Sequence, residues 1–142
     1  MPGDHRYEWQ RMYVVNIMST AIVTATPWLP AARLVELLVD ENIGAVPVID
    51  GEGYPLGIVT RADVLEEDEL DIADEVTAEE LMRRSPLTVE PTTPISEAAR
   101  LMARQRVHHL LVVDGAGRLV GLLSSFDVVR WVADCESLNL RG

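Results

Sequence analysis

Apolar and polar positions follow two different periods along this chain, and the whole pattern occurs twice. Ala21 to Ala25 is a short apolar stretch with Thr and Val, which predicts a strand. Beyond Pro27 and Pro30 the period lengthens. Leu34, Val35, Leu37 and Leu38 share one stripe of a helix predicted over Ala31 to Glu41, with Pro30 where a helix start tolerates proline. Ala45 to Ile49 is apolar on both faces, as in a covered strand. Asp50-Gly51-Glu52-Gly53 separates it from Leu56 to Thr60, and Asp-Gly between two apolar runs predicts a hairpin. A short helix starts near Asp63. The order strand, helix, strand, strand, helix then returns. Its second members are Ser85 to Val89, Ile95 to Arg106, Leu110 to Val113, Leu119 to Ser124 and a helix near Asp127. Thr93 or Ser96 is placed to help cap the second long helix.

The two copies superpose when the sequence is displaced by 64 residues. Met18 then falls on Met82, Thr24 on Thr88, Pro27 on Pro91 and Pro30 on Pro94. Asp50-Gly51 falls on Asp114-Gly115, Gly57 on Gly121 and Asp63-Val64 on Asp127-Val128. Turn residues and prolines coincide, which shared composition alone does not produce, so the chain is an internal duplication. The fold class expected is α/β (α+β), two repeated β-α-β-β-α motifs. The expected organisation is a helical extension over 1–14, motif 1 over 15–66, an acidic linker over 67–76, motif 2 over 77–135 and a tail over 136–142.

At 142 residues the chain suits one compact domain or two very small ones sharing a core. Hydrophobic residues make up 48 %, so a core can be buried and disorder is excluded. The net charge of −11 speaks against nucleic acid and anionic membrane as partners, since both demand clustered Lys and Arg. Cys135 is a single cysteine and makes no internal disulfide. The polar start MPGDHRYEWQ lacks an apolar signal core, and no apolar run nears the roughly 20 residues of a membrane span. The expected location is cytoplasmic.

Gly57-Ile-Val-Thr60-Arg-Ala-Asp63 and Gly121-Leu-Leu-Ser124-Ser-Phe-Asp127 share a hydroxyl followed three residues later by an acid. On spacing alone this is a capping box, in which hydroxyl and carboxylate satisfy the free amides of a helix start. Val15-Asn-Ile-Met18-Ser, Thr24, Ile43-Gly-Ala-Val-Pro47-Val48, Asp50 to Gly53 and Gly57 to Asp63 together resemble one CBS motif, named for cystathionine beta-synthase. Glu80-Leu-Met82, Thr88, Val107-His-His-Leu-Leu-Val-Val-Asp114 and Gly121 to Asp127 resemble a second. A tandem pair of this kind is called a Bateman module. The resemblance implies two motifs packed with pseudo-twofold symmetry, and two clefts between the repeats that hold an adenosyl ligand. Asp63 and Asp127 would accept hydrogen bonds from ribose hydroxyls, with Thr60 and Ser124 near ribose or phosphate and Thr24 and Thr88 by the adenine slot. A carboxylate suits a diol because it can accept from both hydroxyls.

Phosphate needs positive charge. The second repeat offers Arg104, Arg106, His108 and His109, with Arg61, Arg83 and Arg84 as further cations. Asp40, Glu41 and Asn42 stand at the places matching Arg104, Gln105 and Arg106, so the repeats are electrically unequal. In nucleotide-binding members a His-Arg pair occupies the place of His108-His109; the second histidine makes charge compensation depend on pH near neutrality. The expected ligand is AMP, ADP, ATP or S-adenosylmethionine, bound by the Ser124 and Asp127 cleft in preference to that of Thr60 and Asp63. Nothing resembles a P-loop, a GxGxxG loop, a nucleophile beside a base, or metal-ligand spacing, so no catalysis and no required cofactor or metal is expected. A homodimer reporting to an unknown regulated protein is the leading expectation. The alternative is a structural dimerisation module whose clefts stay empty and whose Ser/Thr-x-x-Asp motifs only cap helices.

Overall fold

The computed structural model describes residues 11–66 and 76–141. The expected extension over 1–14 and the acidic linker over 67–76 therefore lie largely outside the described residues. The elements are α1 (Val14–Ile17), α2 (Ala31–Asp40), β1 (Ala45–Ile49), β2 (Pro55–Thr60), α3 (Arg61–Glu66), α4 (Ala78–Leu81), β3 (Arg83–Arg84), β4 (Thr88–Val89), α5 (Ile95–Gln105), β5 (His109–Val113), β6 (Leu119–Ser124) and α6 (Ser125–Arg141).

They form two units that do not coincide with the two repeats. The first unit comprises Ile22–Pro86 with Gly117–Leu119; the second takes Leu87–Ala116, the chain from Val120 onward and the segment before Ile22. The short segment ahead of each repeat thus belongs to the unit built on the other repeat. The hydrogen bonds that seat it are duplicated at the same 64-residue displacement. In the first unit Ala31 N–H donates to Val76 carbonyl at 2.8 Å, Ala78 to Leu29 at 2.8 Å and Glu79 to Pro27 at 2.9 Å. In the second unit Ile95 donates to Met12 at 3.1 Å, Val14 to Thr93 at 2.8 Å and Val15 to Pro91 at 3.0 Å. A helix start leaves amides without intrahelical partners. Here the exchanged segment supplies the acceptor for Ala31 and Ile95. Neither Pro30 nor Pro94 makes a side-chain cap, and the Thr93 hydroxyl accepts from Glu90 N–H at 3.1 Å, so the expected cap from Thr93 or Ser96 is not formed.

Each unit holds a small sheet. In the first, β1 and β2 pair antiparallel and β2 pairs antiparallel with β3. In the second, the order is β4, β5, β6, with β4 and β5 parallel. The strand expected over Ala21 to Ala25 shrinks to one parallel bridge, Ala25 with Val48. The second unit explains why. There Leu111 N–H reaches back to Leu87 carbonyl at 3.0 Å and extends the parallel ladder. Pro47 stands at the matching place and has no N–H to give.

The first core gathers Leu34, Leu38, Val46, Val48, Val59, Ala78 and Met82; the second gathers Val14, Ile95, Ala98, Met102, Leu110, Val112 and Leu123. The helical stripes are buried as their spacing requires, Leu34 and Leu38 on α2 matching Ala98 and Met102 on α5. The exchange reaches the glycines. A Cβ on Gly57 would lie 2.5 Å from Met82 Sδ and 2.7 Å from the Arg83 carbonyl oxygen. A Cβ on Gly121 would lie 2.5 Å from Met18 Sδ. Met18 and Met82 correspond, as do the two glycines, so each repeat's methionine covers the other's glycine.

Candidate functional site

Both Ser/Thr-x-x-Asp motifs sit where a strand runs directly into a helix, Thr60 ending β2 and Ser124 ending β6. The Thr60 hydroxyl accepts from Asp63 N–H at 3.2 Å, and Asp63 Oδ2 accepts from Thr60 N–H at 3.4 Å. The Ser124 hydroxyl accepts from Asp127 N–H at 3.1 Å, and Asp127 Oδ2 accepts from Ser124 N–H at 2.9 Å. Two capping boxes are therefore formed in full. Each occupies one oxygen of its carboxylate.

The remaining oxygens differ. Asp63 Oδ1 is held by Arg83, whose Nε lies at 2.9 Å and Nη2 at 2.7 Å, a charge-assisted clamp on one atom. The Asp63 side chain is only 11 % exposed behind it. Ser19 stands at the place matching Arg83. It bridges Leu122 through its backbone, and among the described residues Asp127 Oδ1 receives no hydrogen bond. One motif carboxylate is thus saturated from within its unit, and the other keeps an acceptor.

The expected cations disperse. Arg61 Nη2 donates to the Leu38 carbonyl at 2.7 Å, at the C-terminal end of α2. Arg84 pairs with Glu79 at 3.6 Å. Arg104 lines a hollow of about 400 Å³ beside β4 and α5, with Thr88, Glu90 and Glu97. Arg106, in the left-handed conformation that ends α5 (φ 56°), lines another of about 440 Å³ with His108 and Ser125. Arg104 and Arg106 therefore do not converge on one hollow as expected, because Arg106 turns off the helix on which Arg104 still lies. Thr24 is half-buried in the first unit, and Thr88 opens β4 in the second.

The two histidines take different positions. His108 is exposed, its Nδ1 3.3 Å from the Ser125 hydroxyl, and its carbonyl accepts from Ser125 N–H at 2.8 Å. His109 opens β5 and is partly buried. Burial holds its pKa below the usual 6.5, the charge of His108 lowers it further, and Asp127 opposes both. The protonation of His109 is thereby displaced below the reference value. His109 nonetheless feels the charge of Asp127, and His108 lies against Ser125 at the start of α6. What sequence reasoning missed is the partnership of Arg83 with Asp63. The signal was available in the comparison of Arg83 with Ser19.

The CBS domain family profile matches residues 14–69 and 78–134, and the chain belongs to that family. It is similar to CBSX2, solved in complex with AMP, at 29 % identity and a TM-score of 0.79 over 87 % of this chain and 98 % of that one. It is also similar to the CBS domain pair of protein MJ0100, solved with 5′-methylthioadenosine and S-adenosyl-L-methionine, at 27 % identity and a TM-score of 0.78 over 87 % and 97 % of the two chains. Among curated proteins, an uncharacterized protein of Methanopyrus kandleri is 27 % identical over 77 % of this chain. The inosine-5′-monophosphate dehydrogenase of Mycobacterium tuberculosis is 35 % identical over 80 % of it. The chain spans 57 % of the first relative's length and 21 % of the second's. Among the described residues no helix is long and apolar enough to cross a membrane, and no group of His, Cys, Asp and Glu could hold a metal ion.

Proposed function

We propose that the chain is a non-catalytic sensing module that binds an adenosyl ligand through the second unit and reports its presence to a partner protein as a homodimer. The observation that carries this reading is the open Oδ1 of Asp127 at the start of α6. A ribose diol presents two donors, and a carboxylate oxygen without a partner is the acceptor for them. Ser124, Ser125 and His108 are the neighbouring polar groups for the rest of the ligand. The corresponding carboxylate, Asp63, is already satisfied by Arg83, so the reading gives one strong site per chain. Relatives solved with AMP, 5′-methylthioadenosine and S-adenosylmethionine support the ligand class.

A second reading has its own observation. Both capping boxes are complete without a ligand, so the motif acids already serve the fold. In that case the chain is a structural dimerisation module. A thermal-shift series with AMP, ADP, ATP, S-adenosylmethionine, 5′-methylthioadenosine and NADH separates them, because a ligand at a hundred times its Kd stabilises the folded state by about 2.7 kcal/mol. A rise in melting temperature with at least one adenosyl compound is expected, saturating at one ligand per chain. No shift with any of them would leave the structural reading standing.

A further inference from the structure

The hollow of about 400 Å³ in the second unit lies between the edge strand β4 and one flank of α5. Glu97, Leu101 and Arg104 fall on that flank at helical spacing, and Val113 closes the hollow at the end of β5. None of its lining residues belongs to the polar group at the start of α6. His109 opens β5 and Val113 ends it, roughly 13 Å apart along an extended strand. The hollow is therefore a second place, apart from the one that Asp127 serves.

Its rim carries both signs of charge. Arg104 is the cation, Glu90 and Glu97 are the anions, and all three are exposed. Among the described residues none of the three forms an ion pair. The fold does not ask for this set. At the 64-residue displacement Thr26 stands for Glu90 and Leu29 for Thr93. The turn closes alike in both copies: Leu29 N–H donates to the Thr26 carbonyl at 3.2 Å, and Thr93 N–H to the Glu90 carbonyl at 3.0 Å. The side chains of Glu90 and Thr93 are additions to a turn that forms without them.

The edge of β4 contributes one free peptide residue. Leu111 N–H bonds the Leu87 carbonyl, so in the parallel ladder Thr88 turns its own N–H and carbonyl away from β5. The pairing cannot run on in either direction. Pro86 has no N–H, and Glu90 N–H is committed to the Thr93 hydroxyl at 3.1 Å. An added strand needs a row of such groups, whereas a single amino acid needs one residue's worth.

We propose that this hollow binds a free α-amino acid with a cationic side chain. The planar guanidinium of Arg104 suits the carboxylate. Glu90 and Glu97 divide the α-ammonium and the side-chain cation between them. Leu101 and Val113 offer apolar surface to the methylene stem. The charges then cancel: two acids and one arginine leave one negative charge, and a dibasic amino acid brings one positive charge. The site goes beyond the adenosyl reading and does not depend on it.

The test is calorimetric titration of L-lysine and L-arginine into the full chain. Saturable binding of at least one of them is expected, at one per chain. Cadaverine lacks the carboxylate of lysine, 6-aminohexanoate its α-ammonium and norleucine its side-chain charge. Each should bind at least about tenfold more weakly than lysine. Arg104→Gln should weaken lysine at least about tenfold and should not weaken cadaverine; Glu97→Gln should weaken both. Glu90→Thr installs the residue that the first repeat carries in the same turn, so it keeps the fold and should also lose affinity. No binding of either amino acid at millimolar concentration would overturn the proposal. Cadaverine as tight as lysine, or wild-type affinity in Arg104→Gln or in both acid variants, would overturn it equally.

Discussion

Asp127 divides its work between two oxygens, so a substitution can remove one role and keep the other. Oδ2 closes the capping box at 2.9 Å from Ser124 N–H, while Oδ1 carries no bond among the described residues. Asp127→Asn retains a carbonyl oxygen for the cap and replaces the second oxygen by an amide nitrogen, which cannot accept. The fold should change little. A ligand diol would lose a hydrogen bond to a charged acceptor, about 1.5–3 kcal/mol. That corresponds to roughly a tenfold to a hundredfold rise in Kd. Asp127→Ala removes the cap too and should lose a further 0.5–2 kcal/mol or so of stability. The control is Asp63→Asn. Its Oδ1 already faces Arg83 at 2.7 Å, so the change should act on stability and leave ligand affinity nearly unaltered. Calorimetric titration of AMP or S-adenosylmethionine into the three folded variants reads the affinities, and thermal melts read the caps. Wild-type affinity in Asp127→Asn would refute the assignment of Oδ1. So would equal losses in Asp63→Asn and Asp127→Asn, which would mean that the Arg83 clamp does not distinguish the two motifs.

The glycine contacts predict unequal costs for the same change: Gly57→Ala meets the Arg83 backbone oxygen as well as Met82, whereas the three atoms nearest a Cβ on Gly121 all belong to the flexible Met18 side chain. Gly57→Ala should therefore reach or exceed the upper end of the usual overpacking range of about 1–3 kcal/mol, and Gly121→Ala should stay near its lower end, as denaturant melts would show. For His109 the folded pKa lies below 6.5, so the unfolded chain binds the proton more readily. Its contribution to stability is present above the unfolded value and is lost as pH falls through it toward the folded one. His109→Gln should reduce the drop in melting temperature between about pH 7.5 and about pH 5, and an undiminished drop would remove His109 as its source.

Periodicity and repetition made most of this fold legible. The stripes on α2 and α5 lie within one residue of their predicted bounds because burying Leu34, Leu38, Ala98 and Met102 leaves little choice of face. The Asp-Gly hairpins and the strands ending in Thr60 and Ser124 came from equally local chemistry. Three features were hidden because they depend on partners far along the chain. The exchange of segments leaves no mark on composition. β3 consists of Arg83 and Arg84, whose polar pair shows no apolar alternation, and it exists because β2 offers an edge. The loss of the first predicted strand turned on Pro47, read as part of an apolar run when its missing amide mattered more. At the site, the capping geometry was foreseen, while the dispersal of Arg61, Arg104 and Arg106 followed from helix ends: one caps α2, one stays on α5 and one turns off it.

The duplication also separates what the fold demands from what is free to change. Positions bound by the exchange keep their identity or character in both copies: methionine over glycine, proline before each long helix, a hydroxyl and an acid at each strand-to-helix turn. These residues satisfy amides or fill space that no substitute fills as well. Divergence collects where the exchanged segment passes the motif acid, Arg83 in one unit and Ser19 in the other, and on the outer faces of α2 and α5. Arginine at the first of these places satisfies a nearly buried carboxylate that would otherwise need a partner from outside. Serine supplies no such partner at Asp127, whose free oxygen is open to solvent. A capping role alone gives no reason for the difference, since both caps close in the same way. A ligand that supplies the missing donors at one motif and is displaced by arginine at the other accounts for it. The asymmetry of the two carboxylates is thus a stronger argument for a bound ligand than the presence of either motif.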